Sequence, residues 1–529
     1  MTLHRDLVNG VHYAGAVARF WRAPVDGRDM VAAVRREQTN REARFLHMME
    51  QEVFGHPASP YRPLLSAARV DMGDIQGLVR DKGIEGTLAR LYEAGVHVTL
   101  AEFKGDAPIR RGGLSFEAGA ASFDNPLARH DLMGTTGGSR SSGSTVLMDL
   151  REMLAEVPSR AVHRQAAGMG EFPLALWRSA PPSMALLRLA MVLAKGGQPF
   201  VKWFCPTDPG PRGGEGKGAA LTAATVLTSW AMGHHIPWPE HVPPAEAVTI
   251  ARWMAERTAA GRYVQMNLTV NLGVILCRAA REAGLDISGN GLRLSSEPVT
   301  EGKAALFAES GLSYSSGYGM NDGGSLGLSC GAPEYVDEMH VLTNRMACLP
   351  VRRSFPGLEA DIDAIYLTVL SPYSPKVMLN VETGDYGTAV ERTCGCPFEA
   401  AGLHQRLHTI RSYEKLTSAG MHFLGTALLD VLDSALPRQF GGGPTDYQFA
   451  EQEVDGRTVV QLVIAPSVGP LDEEQVVAFT LEELARRTRG GRMQAETWRS
   501  TGTLRVERRT PYITGAAKIL PLHILRPAP

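Results

Sequence analysis

Residues 291–320 read GLRLSSEPVTEGKAALFAESGLSYSSGYGM, and this stretch decides the fold. Leu292 to Ser295 predicts a strand, Thr300 to Ser310 a helix, and Leu312 to Ser316 a second strand running into Gly317-Tyr318-Gly319. Strand–helix–strand alternation argues for an α/β core. Open α/β sheets bind ligands at the carboxyl ends of their strands. Here those ends carry Ser295-Ser296-Glu297-Pro298 and Ser316-Gly317-Tyr318-Gly319-Met320-Asn321-Asp322. The glycines allow close backbone approach, Tyr318 offers a stacking face and Asp322 a hard oxygen ligand for Mg²⁺.

Working outward, Asp29 to Phe54, Ile84 to Ala94 and Ala245 to Ala260 read as helices, and Val96 to Leu100 as a short strand. The pattern changes after Leu436 to Thr445, which contains Gly441-Gly442-Gly443-Pro444. Tyr447 to Val454 and Arg457 to Ala465 alternate around Asp455-Gly456, a hairpin signal. The helix pattern Glu473 to Arg487 and the strand Thr503 to Val506 follow. The expected organisation is a large α/β part over 1–410, a hinge and linker over 411–445 and a small α+β domain over 446–529.

The chain has 529 residues, 44% hydrophobic and 21% charged, with a formal net charge of −2. This balance gives no reason to expect nucleic acid or an anionic membrane as partner. No stretch approaches the ~18 apolar residues of a membrane helix. Residues 1–15 contain no signal-peptide core. Six cysteines are too few for a disulfide scaffold, so a cytoplasmic location is expected.

Upstream, Gly134-Thr135-Thr136-Gly137-Gly138-Ser139-Arg140-Ser141-Ser142-Gly143 packs four glycines and five hydroxyls into ten residues. Glycine backbone N–H groups, hydroxyls and one guanidinium suit a polyphosphate. A flexible polar loop is the other reading. Downstream come Glu382-Thr383-Gly384-Asp385, a turn presenting a carboxylate suited to ribose hydroxyls, then Arg411, and Lys518 near the C-terminus. Each alone is an ordinary turn or solvated charge.

Taken in order, these elements resemble the adenylate-forming superfamily of acyl-CoA synthetases, adenylation domains and luciferases, and more closely its phenylacetate–CoA ligase-like branch. The resemblance covers most of the chain. It implies a multi-sheet N-terminal adenylation domain with a small mobile C-terminal lid. It assigns Thr135, Thr136, Gly137, Gly138, Ser139 and Arg140 to the phosphate loop, which lacks the usual Pro-Lys ending and leaves the γ-phosphate contact to Arg140 or a serine. Ser296, Glu297 and Pro298 look like the element beside adenine. Tyr318 and Gly319 match the motif whose tyrosine stacks on adenine, and Asp322 its magnesium ligand. Asp385 matches the ribose-binding aspartate, Arg411 the arginine opening the hinge, and Lys518 the lysine reaching the reacting carboxylate and α-phosphate. Two departures stand out. Asn321-Asp322 replaces Thr-Glu, and Arg411-Ser412-Tyr413-Glu414 replaces Arg-x-Asp-Asp.

Cys330, His340, Cys394 and Cys396 form a separate set: three thiolates and one imidazole make a closed tetrahedral zinc site of the structural type. Scattered free cysteines are the alternative. Cys/His sets in this region are frequent in the resembling branch. His234-His235 and Gly317 are the candidate acyl-pocket residues, with a core histidine beside Trp238 as the plainer reading.

The expected activity is ATP- and Mg²⁺-dependent adenylation of an aryl or arylacrylic acid, with transfer of the acyl group to CoA or a carrier-protein thiol. Activation of another oxyanion such as nitrite, transfer to an amine, and a non-catalytic nucleotide-binding protein are the alternatives. The resemblance leaves the oligomeric state open, a homodimer included.

Overall fold

The computed structural model describes residues 2–25, 29–129, 131–135, 145–169, 172–180, 186–207, 217–320, 322–354, 361–412, 417–418, 421–422, 425–454, 457–487, 504–514 and 518–525. The principal sheet has twelve strands. In chain order they are β1 (Leu174–Trp177), β2 (Phe200–Cys205), β3 (Pro239–His241), β4 (Gln265–Thr269), β5 (Gly291–Ser295) and β6 (Ser313–Met320). Then come β7 (Gly324–Leu328), β8 (Met339–Val341), β9 (Met346–Arg353), β10 (Ile362–Val369), β11 (Val381–Glu391) and β12 (Gln405–Ser412). Their spatial order is β9-β10-β11-β12-β8-β7-β6-β5-β4-β1-β2-β3. Strands β1 to β6 run parallel and the remainder antiparallel.

Helices cover both faces of the parallel half, as the crossovers require. The relevant ones are α1 (Thr2–Arg22), α2 (Leu150–Ala166), α3 (Lys217–Ala231), α4 (Ala247–Ala259), α5 (Val270–Glu282) and α6 (Glu301–Glu309). Strand alternation divides the core. Leu174 and Leu176 pack with Met153 and Val157 of α2, while Leu292 and Leu294 pack with Leu272 and Leu276 of α5 and Phe307 of α6. A second sheet of four strands holds β13 (Tyr447–Val454), β14 (Arg457–Ile464), β15 (Leu504–Arg508) and β16 (Leu522–Leu525) in the order β15-β14-β13-β16. It packs against α7 (Glu473–Arg487) through Val476, Leu481 and Leu484.

The strand–helix–strand reading of 291–320 holds, and so do the C-terminal hairpin and helix. Two expectations change. The helix expected over 29–54 breaks at Asn40 into Met30–Thr39 and Arg41–Met48, followed by a π-turn over Met49–Phe54. The strand expected over 96–100 is a single bridge, Val98 to Val381. Thr99 instead caps the short helix Leu100–Lys104 in a capping box with Glu102.

In the π-turn, Glu52 is only 2% exposed, and among the described residues its Oε1 has no hydrogen-bond partner. Burial pushes its carboxyl up to about 8. Its folded pKa lies above its unfolded one, so this group adds stability at low pH and loses it as pH rises to about 8. The expected slope across that window is on the order of 1 kcal/mol per pH unit. Thermal melts between pH 5 and 8 should show the slope in the native protein and a flatter profile in Glu52→Gln.

Candidate active site

The carboxyl ends of β5 and β6 gather most of the expected ligand groups. Ser296 turns the chain out of β5 with φ of +76°. The Glu297 carboxylate then accepts hydrogen bonds from the backbone N and the Nδ2 of Asn271, both at 2.9 Å. Asn271 opens α5, so the carboxylate sits where the helix dipole favours negative charge. Burial raises the Glu297 pKa, while Lys303, the Asn271 amide, Lys518 and Arg178 oppose the rise.

Lys518 thus acts on Glu297 from the other end of the chain. Two hydrogen bonds hold its backbone: its N–H donates to Thr514 Oγ1 at 3.1 Å, and its carbonyl accepts from Thr514 N at 2.8 Å. The next carbonyl, Ile519 O, accepts from Asn271 Nδ2 at 2.8 Å across 248 positions of sequence. One asparagine therefore holds both the Glu297 carboxylate and the segment carrying Lys518.

Beside them, the Tyr318 hydroxyl donates to Asp385 Oδ2 at 2.6 Å. Burial first, and Asp385 next, push the Tyr318 phenol well above its usual range. Asp385, expected in a turn, lies inside β11 opposite Ser412 of β12; its N–H donates to Thr383 Oγ1 at 3.1 Å, and Gly384 before it has φ of +79°. A Cβ on Gly319 would lie 2.5 Å from Gly324 O, so the β6–β7 pairing itself demands glycine there. Gly317 pairs with Ser295 on β5 and with Leu328 on β7. Asp322 sits in the turn after β6, where its carbonyl accepts from Ser374 Oγ at 3.4 Å.

Three other groups need separate placement. Thr135 ends one arm of a hairpin, Leu132–Thr135 against Thr145–Met148, and pairs with Thr145. Thr136, Gly137, Gly138, Ser139 and Arg140 lie outside the described residues. Arg411, on β12, donates through Nη1 to Asp337 Oδ2 at 2.6 Å and is 8% exposed. Asp337 Oδ1 in turn accepts from Thr409 N at 3.0 Å, so this guanidinium is committed to a buried ion pair. His234 and His235 join the C-terminus of α3 to the N-terminus of β3. In a parallel sheet that is the end opposite Ser296 and Tyr318, so the two histidines are not brought to the site. His234 stacks on Trp21 at 3.9 Å, and His235 on Trp230 at 5.1 Å.

Sequence reading missed Arg178 at the end of β1. It is 9% exposed and donates to Asn267 Oδ1 at 3.0 Å, Leu268 O at 2.7 Å and Ser295 Oγ at 2.6 Å. Burial lowers its pKa to about 10, with Glu297 opposing. It clamps three adjacent strand ends where the ligand groups converge. The available signal was a charge directly after the apolar run Leu174–Trp177.

The cysteine set converges as well. The ligand atoms of Cys330, His340, Cys394 and Cys396 all lie within 4.8 Å of one another. His340 Nε2 is 3.2 Å from Cys396 Sγ and 3.7 Å from Cys394 Sγ, and Nδ1 lies 2.8 Å from Leu403 O. A proton on Nδ1 donated to that carbonyl leaves the Nε2 lone pair facing the sulfurs. Zinc–sulfur bonds of about 2.3 Å in a tetrahedron put sulfurs roughly 3.8 Å apart, so the cluster fits the ion. The turn is prepared for it. Cys394 N and Gly395 N donate to Glu399 Oε2 at 2.5 and 2.7 Å, and Gly395 has φ of +71°. Buried Arg406 donates to Cys330 Sγ at 3.7 Å and to Glu338 Oε1 at 2.6 Å.

No protein-family model and no curated protein sequence matches the chain. Its architecture does match solved structures. A 2-hydroxyisobutyryl-CoA ligase, in the postadenylation state with its acyl-adenylate, aligns with a TM-score of 0.52 at 13% identity, covering 95% of this chain and 94% of that one. The chain has the fold of the adenylate-forming ligases. Also similar are an o-succinylbenzoate–CoA synthetase from Bacillus subtilis (TM-score 0.44, 11% identity, 74% and 69% covered) and an amide bond synthetase from Marinactinospora thermotolerans (0.42, 12%, 92% and 92%). No described helix is long and apolar enough to cross a membrane.

Proposed function

We propose that the protein is an ATP- and Mg²⁺-dependent adenylate-forming ligase. The observation that carries this reading is the junction at Asn271, which sets Lys518 beside Glu297 at the carboxyl ends of the parallel strands. A carboxylate oxygen of the substrate attacks the α-phosphorus of ATP. The bond to the bridging oxygen of pyrophosphate breaks, and pyrophosphate leaves with that electron pair. No general base is required, because the acid is already ionised at neutral pH. The protein must instead bring two anions together. Lys518 and the backbone N–H groups supply positive potential where charge builds up, and orientation contributes much of the remaining acceleration. Asp322 would hold magnesium, which would supply charge that neutralises the phosphates. In this reading Tyr318 stacks on adenine and Asp385 holds the ribose hydroxyls.

The domains follow the same reading: 1–410 binds nucleotide and acid, 411–445 is the hinge, and 446–529 delivers Lys518. The acyl group passes to a thiol, CoA or a carrier protein. Zinc at Cys330, His340, Cys394 and Cys396 braces the segment after β7 against the turn after β11. The test is a pyrophosphate-release screen over carboxylic acids and nitrite, with and without CoA and amines. Release with acids establishes adenylation, and the added nucleophile that consumes the adenylate identifies the acceptor. Release with nitrite alone would replace the carboxylate reading, and no release with any oxyanion would refute catalysis.

Asp385→Ala is expected to raise KM for ATP roughly tenfold or more with little change in kcat. A carboxylate on ribose hydroxyls holds ground and transition states alike. Steady-state kinetics with varied ATP measures this, and an unchanged KM would remove Asp385 from the ribose site.

A further inference from the structure

Two residues before the end of β5, Arg293 is buried between the sheet and α2. Leu292 and Leu294 face α5, so alternation turns Arg293 to the opposite side, the face it shares with Ser315 of β6. Arg293 is 2% exposed and Ser315 fully buried. Nη2 of Arg293 lies 3.4 Å from Gln265 Oε1, but among the described residues its Nε and Nη1, and the Oγ of Ser315, have no hydrogen-bond partner. Among the described residues, the charged groups that act on Arg293 are Arg160 and Arg164 of α2. Burial first, then these two, pull its guanidinium down to about 9. Glu156 is engaged by Arg160 at 3.7 Å. His163 of α2, 1% exposed, likewise has no hydrogen-bond partner for either ring nitrogen among the described residues. Gln198 Nε2 is 3.0 Å from the same Gln265 Oε1.

A buried guanidinium without a counter-charge costs several kcal/mol in general and persists where something else supplies the negative charge. Arg293 stands about 7 Å along β5 from Ser295, at the strand end where Arg178, Glu297 and Lys518 gather. Resting on the adenylation reading above, we propose that Arg293, with Ser315 and Gln265, forms an anion subsite in the acid pocket, so that the preferred substrate carries a second anionic group a few carbons from the carboxylate that is activated. One end of such an acid would meet Lys518 and the other Arg293.

Binding is tested first, without ATP. Thermal melts of the full chain are run with succinate against butyrate, glutarate against valerate, and phthalate against benzoate. The diacid of at least one pair should raise Tm by several degrees more than its monoacid, and Arg293→Met should abolish the difference. Arg293→Met should also melt at or above the native temperature without ligand, because it removes an uncompensated charge. Arg293→Gln, which keeps polar atoms for Gln265 and Ser315, serves the same purpose if the methionine variant does not fold. Pyrophosphate release then follows, with kcat/KM expected to favour the diacid at least tenfold and to lose about a hundredfold in either variant.

No diacid preference in binding, or a ligand-free variant that melts well below the native protein, would overturn the subsite and make the cluster an internal structural network. Equal stabilisation by chloride or inorganic phosphate would assign it to an inorganic ion and overturn the substrate inference. Diacid binding through Arg293 with no pyrophosphate from any acid would leave the subsite standing and refute the adenylation reading.

Discussion

Lys518→Ala is expected to lower the rate of pyrophosphate release by 10² to 10³ while ATP still binds. The ammonium belongs to a segment anchored at Asn271 through Ile519 O, and it acts on Glu297 at the strand ends. In the proposed reaction a cation there would meet the reacting carboxylate and the α-phosphate, where negative charge concentrates during in-line attack. Its interaction is strongest in the transition state, so its loss belongs in kcat and much less in KM for ATP. Single-turnover pyrophosphate release, with nucleotide binding measured separately, checks both halves. A wild-type rate in the variant would remove Lys518 from the reaction.

Replacing Cys394 and Cys396 together with serine is expected to take zinc content from about one ion per chain to near zero and to lower Tm by many degrees. Metal-binding free energy in such a site is largely folding free energy. Four protein ligands would close the coordination sphere, so a bound zinc would have no open position for water and its role would be mechanical. It would tie two walls together, the segment leaving β7 and the turn that begins after Glu391, at the end of β11 away from Asp385. Activity measured well below the new Tm should fall only as far as those two walls loosen. Elemental analysis showing no zinc in protein purified without chelator would return the cysteines to ordinary packing.

The strand ends were legible because their residues mark them locally: an apolar run, a turn, then a group able to bind. Ser296, Glu297 and Tyr318 were placed at strand ends in this way, whereas Asp385 was expected in a turn and lies within β11. Lys518 was found only through family resemblance, since nothing local distinguishes it from a solvated lysine. The Thr99–Glu102 capping box was present in the sequence, but the apolar Val96–Leu100 run outweighed it. His234 and His235 were misplaced because composition does not say which end of a parallel strand a loop adjoins; the direction of β3 does. Arg178 and Arg293 were missed for one reason. Each is a single charge at or inside an apolar run, and it acquires meaning only when the sheet proves to be covered on both faces. The convergence of Cys330 and His340 with Cys394 and Cys396 depends on β8 lying beside β12, a pairing that no local pattern announces.

Among the described residues, β3 and β9 are the two edge strands of the twelve-stranded sheet, and unpaired edge backbone recruits other chains. Here both margins are poor templates. The β3 margin is three residues long and begins with Pro239, which has no N–H to offer. The β9 margin is longer, but Pro350 interrupts its donors. Self-association through strand addition is thus discouraged at the two places where so broad a sheet would invite it, and the chain keeps its widest layer from becoming a nucleus for fibrils.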